Sequence, residues 1–264
     1  VDGVAGVQSK SALKQWQKRA GLNATGDIKA DQIAQLESDA LKVLTKREEE
    51  RKAKAKRLAE INRIKNPDAI AVIIGNRDYK GNTPDVDFAG NDADAMRLFV
   101  FNKLGYRAGN IIDLRDATQA ELRDTFGTKE SHKGRLFDYV RAGDSDVIVF
   151  YSGHGVPGMS DKRGYLLSVD ANPNRAELTG YPVDTLLTNL SKIPAKSMTV
   201  FIDACFSGDS PKGMLIKSMS GLMVEIRQPK KTSSKMVVLT ASRGDEAASW
   251  DEEAKHGLFT KHLL

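Results

Sequence analysis

The sequence predicts an α/β fold: a mainly parallel sheet with helices on both faces, preceded by a small helical segment and a long charged helix. Short apolar runs rich in Val and Ile recur from residue 68 onward, as strands covered on both faces should. Helical stretches separate these runs, and strands that alternate with helices build parallel sheets through crossover connections. Before residue 68 the pattern is helical instead.

Two helical regions precede the predicted sheet. Residues 1–40 are expected to fold as a small helical segment with Trp16 in its core, and Gly21 ends its first helix. Residues 41–67 are expected to form a charged helical linker, which ends before Pro67 because the residue preceding a proline disfavours helical backbone. A solvated spacer is one interpretation of the charge run KREEERKAKAKR, and a coiled-coil or partner-binding role is the other.

Residues 68–264 make up the third predicted domain. Its strands are expected at residues 69–75, 110–114, 146–153, 198–204 and 235–242. Its helices are expected at residues 88–104, 118–141, 183–192 and 255–264. In open parallel sheets, ligands bind beyond the carboxyl ends of the strands, so the residues that follow each strand are the candidates for chemistry.

Composition argues against several classes of protein. No apolar run approaches the roughly 18 residues that a membrane span needs, so no span is predicted. The net charge of +5 is mild and the basic residues are scattered, so nucleic acid is not predicted as a partner. The single cysteine excludes an intrachain disulfide. No cofactor and no metal are predicted, because the chain has no CxxC or HxxxH spacing.

Two predicted strands end in turns that carry reactive side chains. FYSGHG places Ser152 and His154 on one face, and FIDACFSG does the same for Asp203 and Cys205, because side chains two positions apart in a strand share a face. A lone cysteine is more often a small buried apolar residue than a nucleophile. If the two strands are neighbours, however, they bring a thiol and an imidazole together, which is a nucleophile with an adjacent base.

Residues 68–264 resemble the caspase-like cysteine peptidases, and more closely their bacterial metacaspase-like branch. The stretches that carry this resemblance are AVIIGNRDY, NDADAM, VIVFYSGHG, GYLLSVDA, TVFIDACFSG, VVLTASRGDEAA and HGLFTKHLL, in that order. Cys205 follows His154 by 51 positions, and caspases separate these two residues by about 50.

The resemblance implies a cysteine endopeptidase with a dyad of catalytic residues. Cys205 would be the nucleophile and His154 the general acid/base. The backbone N–H groups of Gly155 and Cys205 would form the oxyanion hole. The alternative function is a catalytically silent caspase-like module that acts as a binding or scaffold protein, and the presence of both dyad residues argues against it.

The resemblance also places Asp92, Ser152 and Asp203 in the S1 pocket, which holds the P1 side chain, the one before the scissile bond. Two carboxylates suit the guanidinium of Arg or the ammonium of Lys, so protein or peptide substrates with Arg or Lys at P1 are expected. The other interpretation of Asp92 is that it caps the helix that begins there.

Two further expectations concern loops. Basic residues after the nucleophile are candidate sites of self-cleavage, namely Lys212, Lys217, Arg227, Lys230 and Lys231. Many metacaspases carry a dense acidic stretch shortly after the histidine for calcium, whereas this chain has VPGMSDKRG. A calcium site of that type is therefore not expected, because calcium needs several oxygen ligands.

The first 36 residues resemble the second half of a small peptidoglycan-binding helical domain. DGVAG, the QWQ helix and the GL–TG segment carry this resemblance. It implies peptidoglycan as a partner and a location in the bacterial periplasm or cell envelope, with the cytoplasm as the alternative. The other interpretation of this segment is a helical hairpin that packs on the linker or on a second copy. For the whole protein, a further hypothesis is a wall-binding protein without proteolytic activity.

Overall fold

The computed structural model describes residues 6–206, 209–210, 213–215, 235–241 and 250–264. The chain divides into two compact units, Val1–Asn62 and Arg63–Leu264. The domain boundaries predicted at residues 40 and 67 stay predictions.

The first unit is helical. Helix α1 (Val7–Arg19) ends one residue before Ala20, and Gly21 then adopts a positive φ of 71°, so the predicted stop at Gly21 is confirmed. Trp16 was expected in the core but is only half-buried, whereas its neighbour Gln17 is buried. The side-chain amide of Gln17 donates to the carbonyl of Asp27 at 2.9 Å and fixes the turn after α1.

A 3-10 turn at Ala30–Gln32 leads into the long helix α2 (Ile33–Arg63). Helix α2 agrees with the helical pattern that was predicted to end before Pro67. The helix is rich in charged side chains along its second half. Within the described part of the chain, no helix combines the length and the apolar character needed to cross a membrane.

The second unit is built on a five-stranded parallel sheet. Its strands are β1 (Ile70–Gly75), β2 (Ile111–Arg115), β3 (Asp146–Ser152), β7 (Ser197–Asp203) and β10 (Met236–Thr240). They lie in the order β10-β7-β3-β1-β2. The bounds of each strand lie within one or two residues of a predicted strand. The prediction of a mainly parallel sheet is therefore confirmed.

Strand alternation divides the core into two layers. Ile70, Val72 and Ile74 of β1 contact the cluster that includes Leu122 and Leu186, whereas Ala71 and Ile73 belong to the cluster with Met96. Helices cover both faces, as predicted. They are α3 (Ala89–Leu98), continued by a π-helical turn at Phe99–Lys103, then α4 (Gln119–Phe126), α5 (Arg135–Tyr139), α6 (Ala176–Thr179), α7 (Val183–Lys192) and α8 (Leu258–Leu263).

The helix predicted over residues 118–141 is wrong as a single element. It is interrupted between α4 and α5, because Gly127 takes a positive φ of 84° and a Cβ there would lie 2.1 Å from the carbonyl oxygen of Ser131. The helix predicted over residues 255–264 is shorter than expected, because a two-stranded hairpin precedes it, β11 (Trp250–Asp251) with β12 (His256–Gly257).

Short antiparallel pairs complete the unit, and the sequence pattern did not predict them. They are β4 (Gly155–Pro157), β5 (Gly164–Leu166) and β6 (Tyr181–Pro182), followed by β8 (Asp209–Ser210) with β9 (Gly213–Met214). Strand β4 begins directly after His154, so its pairing with β5 holds the backbone that follows the candidate histidine.

Candidate active site

The two reactive turns lie side by side at one edge of the sheet. Strands β3 and β7 are neighbours, and Ser152 is the register partner of Asp203. The N–H of Gly153 also donates to the carbonyl of Asp203 at 3.2 Å. His154 and Cys205 each follow a register partner by two positions, so the structure brings their turns together at the same level.

A small cavity joins the predicted site residues. Asp92, Ser152, His154, Asp203 and Cys205 all line it. The remaining walls come from apolar and small residues, namely Val86, Gly153, Ala204, Trp250 and Gly257. Its volume is about 20 Å³, which is room for about one water molecule.

The imidazole of His154 is held in one tautomer. Its Nε2 lies 2.7 Å from the carbonyl oxygen of Pro84, and a carbonyl oxygen can only accept, so Nε2 carries the hydrogen. The Nδ1 of the neutral ring therefore keeps its lone pair and can take a proton. Burial lowers the pKa of His154 to about 4, although the Pro84 carbonyl and the nearby Asp85 both oppose that shift. The ring is therefore neutral at pH 7.

Cys205 lies two residues beyond the end of β7 and is buried, with 9% of its surface exposed. Its backbone lies against Gly155, where an added Cβ would lie 2.8 Å from the carbonyl oxygen of Cys205 and 2.7 Å from the ring of Phe206. No side chain fits there, so glycine is required for the two turns to approach. The two residues predicted to form the oxyanion hole are thus neighbours in space.

Asp92 lies in the first turn of α3 and is only 2% exposed. Its carboxylate accepts hydrogen bonds from the hydroxyl of Ser152 at 3.0 Å, from Nδ1 of His256 at 2.8 Å and from the N–H of Gly257 at 3.1 Å. Burial raises the pKa of Asp92 above its ordinary value, and the bonds from His256, Ser152 and Gly257 oppose that rise. Asp92 and Ser152, two of the residues predicted for S1, are therefore in direct contact.

Asp203, the last residue of β7, is the second buried carboxylate. Its Oδ2 accepts from the hydroxyl of Thr260 at 2.7 Å and from the Thr260 N–H at 3.3 Å. Its Oδ1 accepts no hydrogen bond from any residue that the structure describes. Burial, followed by the charge of Asp92, raises the pKa of Asp203 to about 6 although the Thr260 hydroxyl opposes it.

Gly257 lies between the two carboxylates. A Cβ added at this residue would lie 2.5 Å from Oδ2 of Asp203 and 3.0 Å from Oδ2 of Asp92. The two acidic side chains therefore converge on one small space, which only a residue without a side chain leaves open.

Four residues that contact the predicted side chains were not expected at the site: Pro84, His256, Gly257 and Thr260. The last three belong to the HGLFTKHLL stretch, which carried the family resemblance but was given no role in the site. Pro84 contributes only its backbone carbonyl, so its side-chain chemistry offered no signal.

One expectation concerns residues that the structure does not describe. The candidate self-cleavage residues Lys212, Lys217, Arg227, Lys230 and Lys231 lie outside the described residues. Among the residues that are described, no three or more His, Cys, Asp and Glu side chains gather in a way that could hold a metal ion.

Comparison with known proteins assigns residues 68–264 to a family. The family model of the caspase domain matches residues 68–264. The crystal structure of caspase-1 from Spodoptera frugiperda is similar at 16% sequence identity with a TM-score of 0.49, over 75% of this chain and 68% of that chain. No curated protein matches this sequence. Because the caspase domain accounts for most of the chain, this protein belongs to the caspase family of cysteine peptidases.

Proposed function

We propose that this protein is a cysteine endopeptidase that cleaves peptide bonds after Arg or Lys, with Cys205 as nucleophile and His154 as general acid/base. The observation that carries the proposal is the convergence of two buried carboxylates, Asp92 and Asp203, on the cavity that Cys205 and His154 also line. The cavity thus combines the reactive pair with a strongly acidic wall.

The acylation step uses the tautomer that Pro84 imposes on His154. Nδ1 of His154 takes the thiol proton of Cys205 while Sγ attacks the carbonyl carbon of the scissile bond. The carbonyl oxygen becomes an oxyanion, which the N–H groups of Gly155 and Cys205 stabilise. Each such donor contributes roughly 3–4 kcal/mol in other hydrolases.

Collapse of this intermediate breaks the C–N bond. His154 returns its proton to the leaving amine, and the acyl group stays on Cys205 as a thioester. A water molecule then gives its proton to His154 and attacks the thioester carbonyl carbon. The C–S bond breaks, the carboxylic acid is released, and the proton returns to the Cys205 sulfur, which closes the cycle.

The two carboxylates have unequal roles in holding the P1 cation. The carboxylate of Asp92 accepts hydrogen bonds from a hydroxyl, an imidazole N–H and a backbone N–H. Oδ1 of Asp203 accepts no hydrogen bond from the described residues, because the bonds from Thr260 go to Oδ2. We therefore assign the direct contact with the guanidinium or ammonium to Asp203, while Asp92 contributes charge. An Asp side chain at P1 would instead meet like charges, which cost several kcal/mol in a buried contact.

Substrate entry requires the cavity to open. A space for about one water molecule does not hold an Arg or Lys side chain. Val86 and the half-buried Trp250 form its apolar walls. We propose that the Trp250 wall moves when substrate binds.

Active-site labelling tests the proposed function. A peptidyl acyloxymethyl ketone with Arg at P1 should alkylate Cys205, identified by mass spectrometry of the labelled peptide, and the same ketone with Asp at P1 should react far more slowly. Failure of the Arg reagent to label the wild-type protein, or equal labelling by both reagents, would contradict the proposal. The silent scaffold alternative predicts that neither reagent labels.

The resemblance of residues 1–36 to a peptidoglycan-binding domain supports a second proposal. We propose that residues 1–40 bind peptidoglycan and hold the peptidase at the bacterial cell envelope. Co-sedimentation with isolated peptidoglycan tests this: the full chain should sediment, and a chain without residues 1–40 should stay in solution. Equal sedimentation of the two would contradict the proposal.

A further inference from the structure

The AVIIGNRDY motif has no role in the chemistry proposed above, yet it ends in a buried tyrosine. Tyr79 follows β1 and is 8% exposed, and Tyr151 on the neighbouring strand β3 is 1% exposed. Their hydroxyl oxygens lie 3.5 Å apart. Two buried hydroxyl groups thus meet directly beneath the turn that carries His154.

Each hydroxyl binds one backbone group of His154. The N–H of His154 donates to the hydroxyl oxygen of Tyr79 at 2.8 Å, and the hydroxyl of Tyr151 donates to the carbonyl oxygen of His154 at 2.7 Å. The two tyrosines therefore fix the backbone on both sides of the histidine Cα.

Tyr79 also restrains the imidazole itself. The ring centroids of Tyr79 and His154 lie 4.6 Å apart. The loop that begins at Tyr79 also supplies the Pro84 carbonyl that binds Nε2, and the Tyr79 N–H closes this loop by donating to Oδ1 of Asp85 at 3.0 Å. One loop therefore controls both the position and the tautomer of the histidine.

The hydroxyl pair belongs to a connected buried network. The carbonyl oxygen of Leu167 accepts from the side-chain amide of Asn76 at 2.9 Å and from the hydroxyl of Tyr79 at 3.2 Å. It also lies 2.8 Å from the hydroxyl oxygen of Tyr151, whose single hydrogen is donated to His154. A Cβ at Gly153 would lie 2.8 Å from both hydroxyl oxygens. The network thus explains why a glycine stands at position 153, directly before His154. Buried networks whose members are all hydrogen-bonded hold a unique geometry.

We infer that Tyr79 and Tyr151 are positioning residues that hold His154 in its reactive orientation through their hydroxyl groups. This inference rests on the proposed function, since it takes His154 as the acid/base.

Tyr79→Phe separates the hydroxyl from the ring. The variant keeps the aromatic contact but leaves the N–H of His154 without its acceptor. A displacement on the order of 1 Å in a catalytic group can cost about 100-fold in rate. We therefore expect kcat on an Arg-terminated fluorogenic peptide to fall about 10- to 100-fold, while KM stays nearly unchanged because the S1 carboxylates are untouched.

Tyr181→Phe is the matched control. Tyr181 is also buried, and its hydroxyl donates to the carbonyl of Gly127 at 2.9 Å, on the turn between α4 and α5. This variant loses one buried hydroxyl bond without touching His154. Tyr79→Phe loses two hydroxyl bonds, so its thermal stability should fall at least as far as that of Tyr181→Phe. Only Tyr79→Phe should lose kcat.

A second readout does not depend on substrate choice. Cys205 is the only cysteine, so the rate of alkylation by iodoacetamide near pH 7 reports its activation alone. Wild type should react fast, His154→Ala slowly, Tyr79→Phe close to His154→Ala, and Tyr181→Phe like wild type. If Tyr79→Phe does not fold, Tyr151→Phe takes its place with the same expectation.

The outcomes separate this inference from the function on which it rests. Wild-type reactivity in Tyr79→Phe, or an equal loss in Tyr181→Phe, would overturn the positioning role while leaving the proposed function intact. Equal reactivity in wild type and His154→Ala would overturn the proposed dyad, and the positioning role with it.

Discussion

Ser152 and Asp203 are register partners across the parallel pair of β3 and β7. This one alignment sets the arrangement of the site, because His154 and Cys205 follow these two residues at the same distance along the chain. The same alignment brings the Ser152 hydroxyl, which binds Asp92, and the Asp203 carboxylate to the carboxyl edge of the sheet. Reactive pair and acidic wall therefore come from the same two strand ends.

Activity should fall on acidification through about pH 6. Burial and the charge of Asp92 raise the pKa of Asp203 to about 6, so below this pH the pocket loses negative charge and binds an Arg side chain less well. His154, with a pKa of about 4, does not titrate in this window. The pH dependence of kcat/KM on an Arg substrate checks this.

Asp203→Asn identifies the group responsible for that acid limb. The variant should lower kcat/KM at pH 8 by about 30-fold or more, the usual effect of removing one partner of a buried charge contact, and it should lose the limb near pH 6. Asp184→Asn, a partly exposed carboxylate paired with Arg163 outside the cavity, is the control. A wild-type pH profile in Asp203→Asn would contradict the assignment.

The contribution of Asp203 to the free energy of unfolding should fall as the pH rises, whereas activity should rise. The folded-state pKa of Asp203 lies above its unfolded value, so its favourable contribution is fully present below about pH 4 and is lost as the pH rises through about 6. Because a shift of one pKa unit corresponds to about 1.4 kcal/mol, the loss is roughly 3 kcal/mol.

Denaturant unfolding of wild type and Asp203→Asn at pH 4 and pH 8 measures this contribution. The neutral variant should gain stability relative to wild type between the two pH values. A difference between the two proteins that does not change with pH would show that Asp203 titrates normally.

Gly257→Ala should abolish activity and destabilise the fold. The added Cβ would lie 2.5 Å from Oδ2 of Asp203 and 3.0 Å from Oδ2 of Asp92, a distance at which atoms must move. Gly90→Ala in α3 is the matched control, because an added Cβ there meets nothing within 4 Å. Thermal denaturation and peptide cleavage should single out Gly257→Ala, and equal behaviour of the two variants would refute the close approach.

His256→Ala should add a second acid limb, which belongs to Asp92, to the pH profile of kcat/KM. The bond from Nδ1 of His256 holds the pKa of Asp92 down against burial, so its loss lets Asp92 protonate more easily. His256→Asn keeps a donor and should stay closer to wild type. A profile of His256→Ala that shows the Asp203 limb alone would mean that Asp92 does not contribute charge to substrate binding.

The strands and the reactive turns could be predicted because their signals are local. Each parallel strand is a short apolar run, and Ser152–His154 and Asp203–Cys205 follow from alternation along single strands. The interruption between α4 and α5 was missed, because helical spacing resumes after Gly127 and hides the turn.

Long-range contacts could not be predicted from the pattern. His256 binds Asp92 across 164 positions of the chain, and Tyr79 binds the N–H of His154 across 75. Nothing in the local sequence of either residue indicates its partner. The resemblance to a family marked both stretches, but only the packing of the second unit gives them a role.

Cleavage of a peptide library that varies only the P1 residue, by wild type and by Cys205→Ala, decides whether Cys205 cleaves after basic residues. Wild type is expected to cleave after Arg and Lys and after no acidic residue, and Cys205→Ala is expected to cleave nothing. Cleavage after Asp, or the same cleavage by Cys205→Ala, would contradict it.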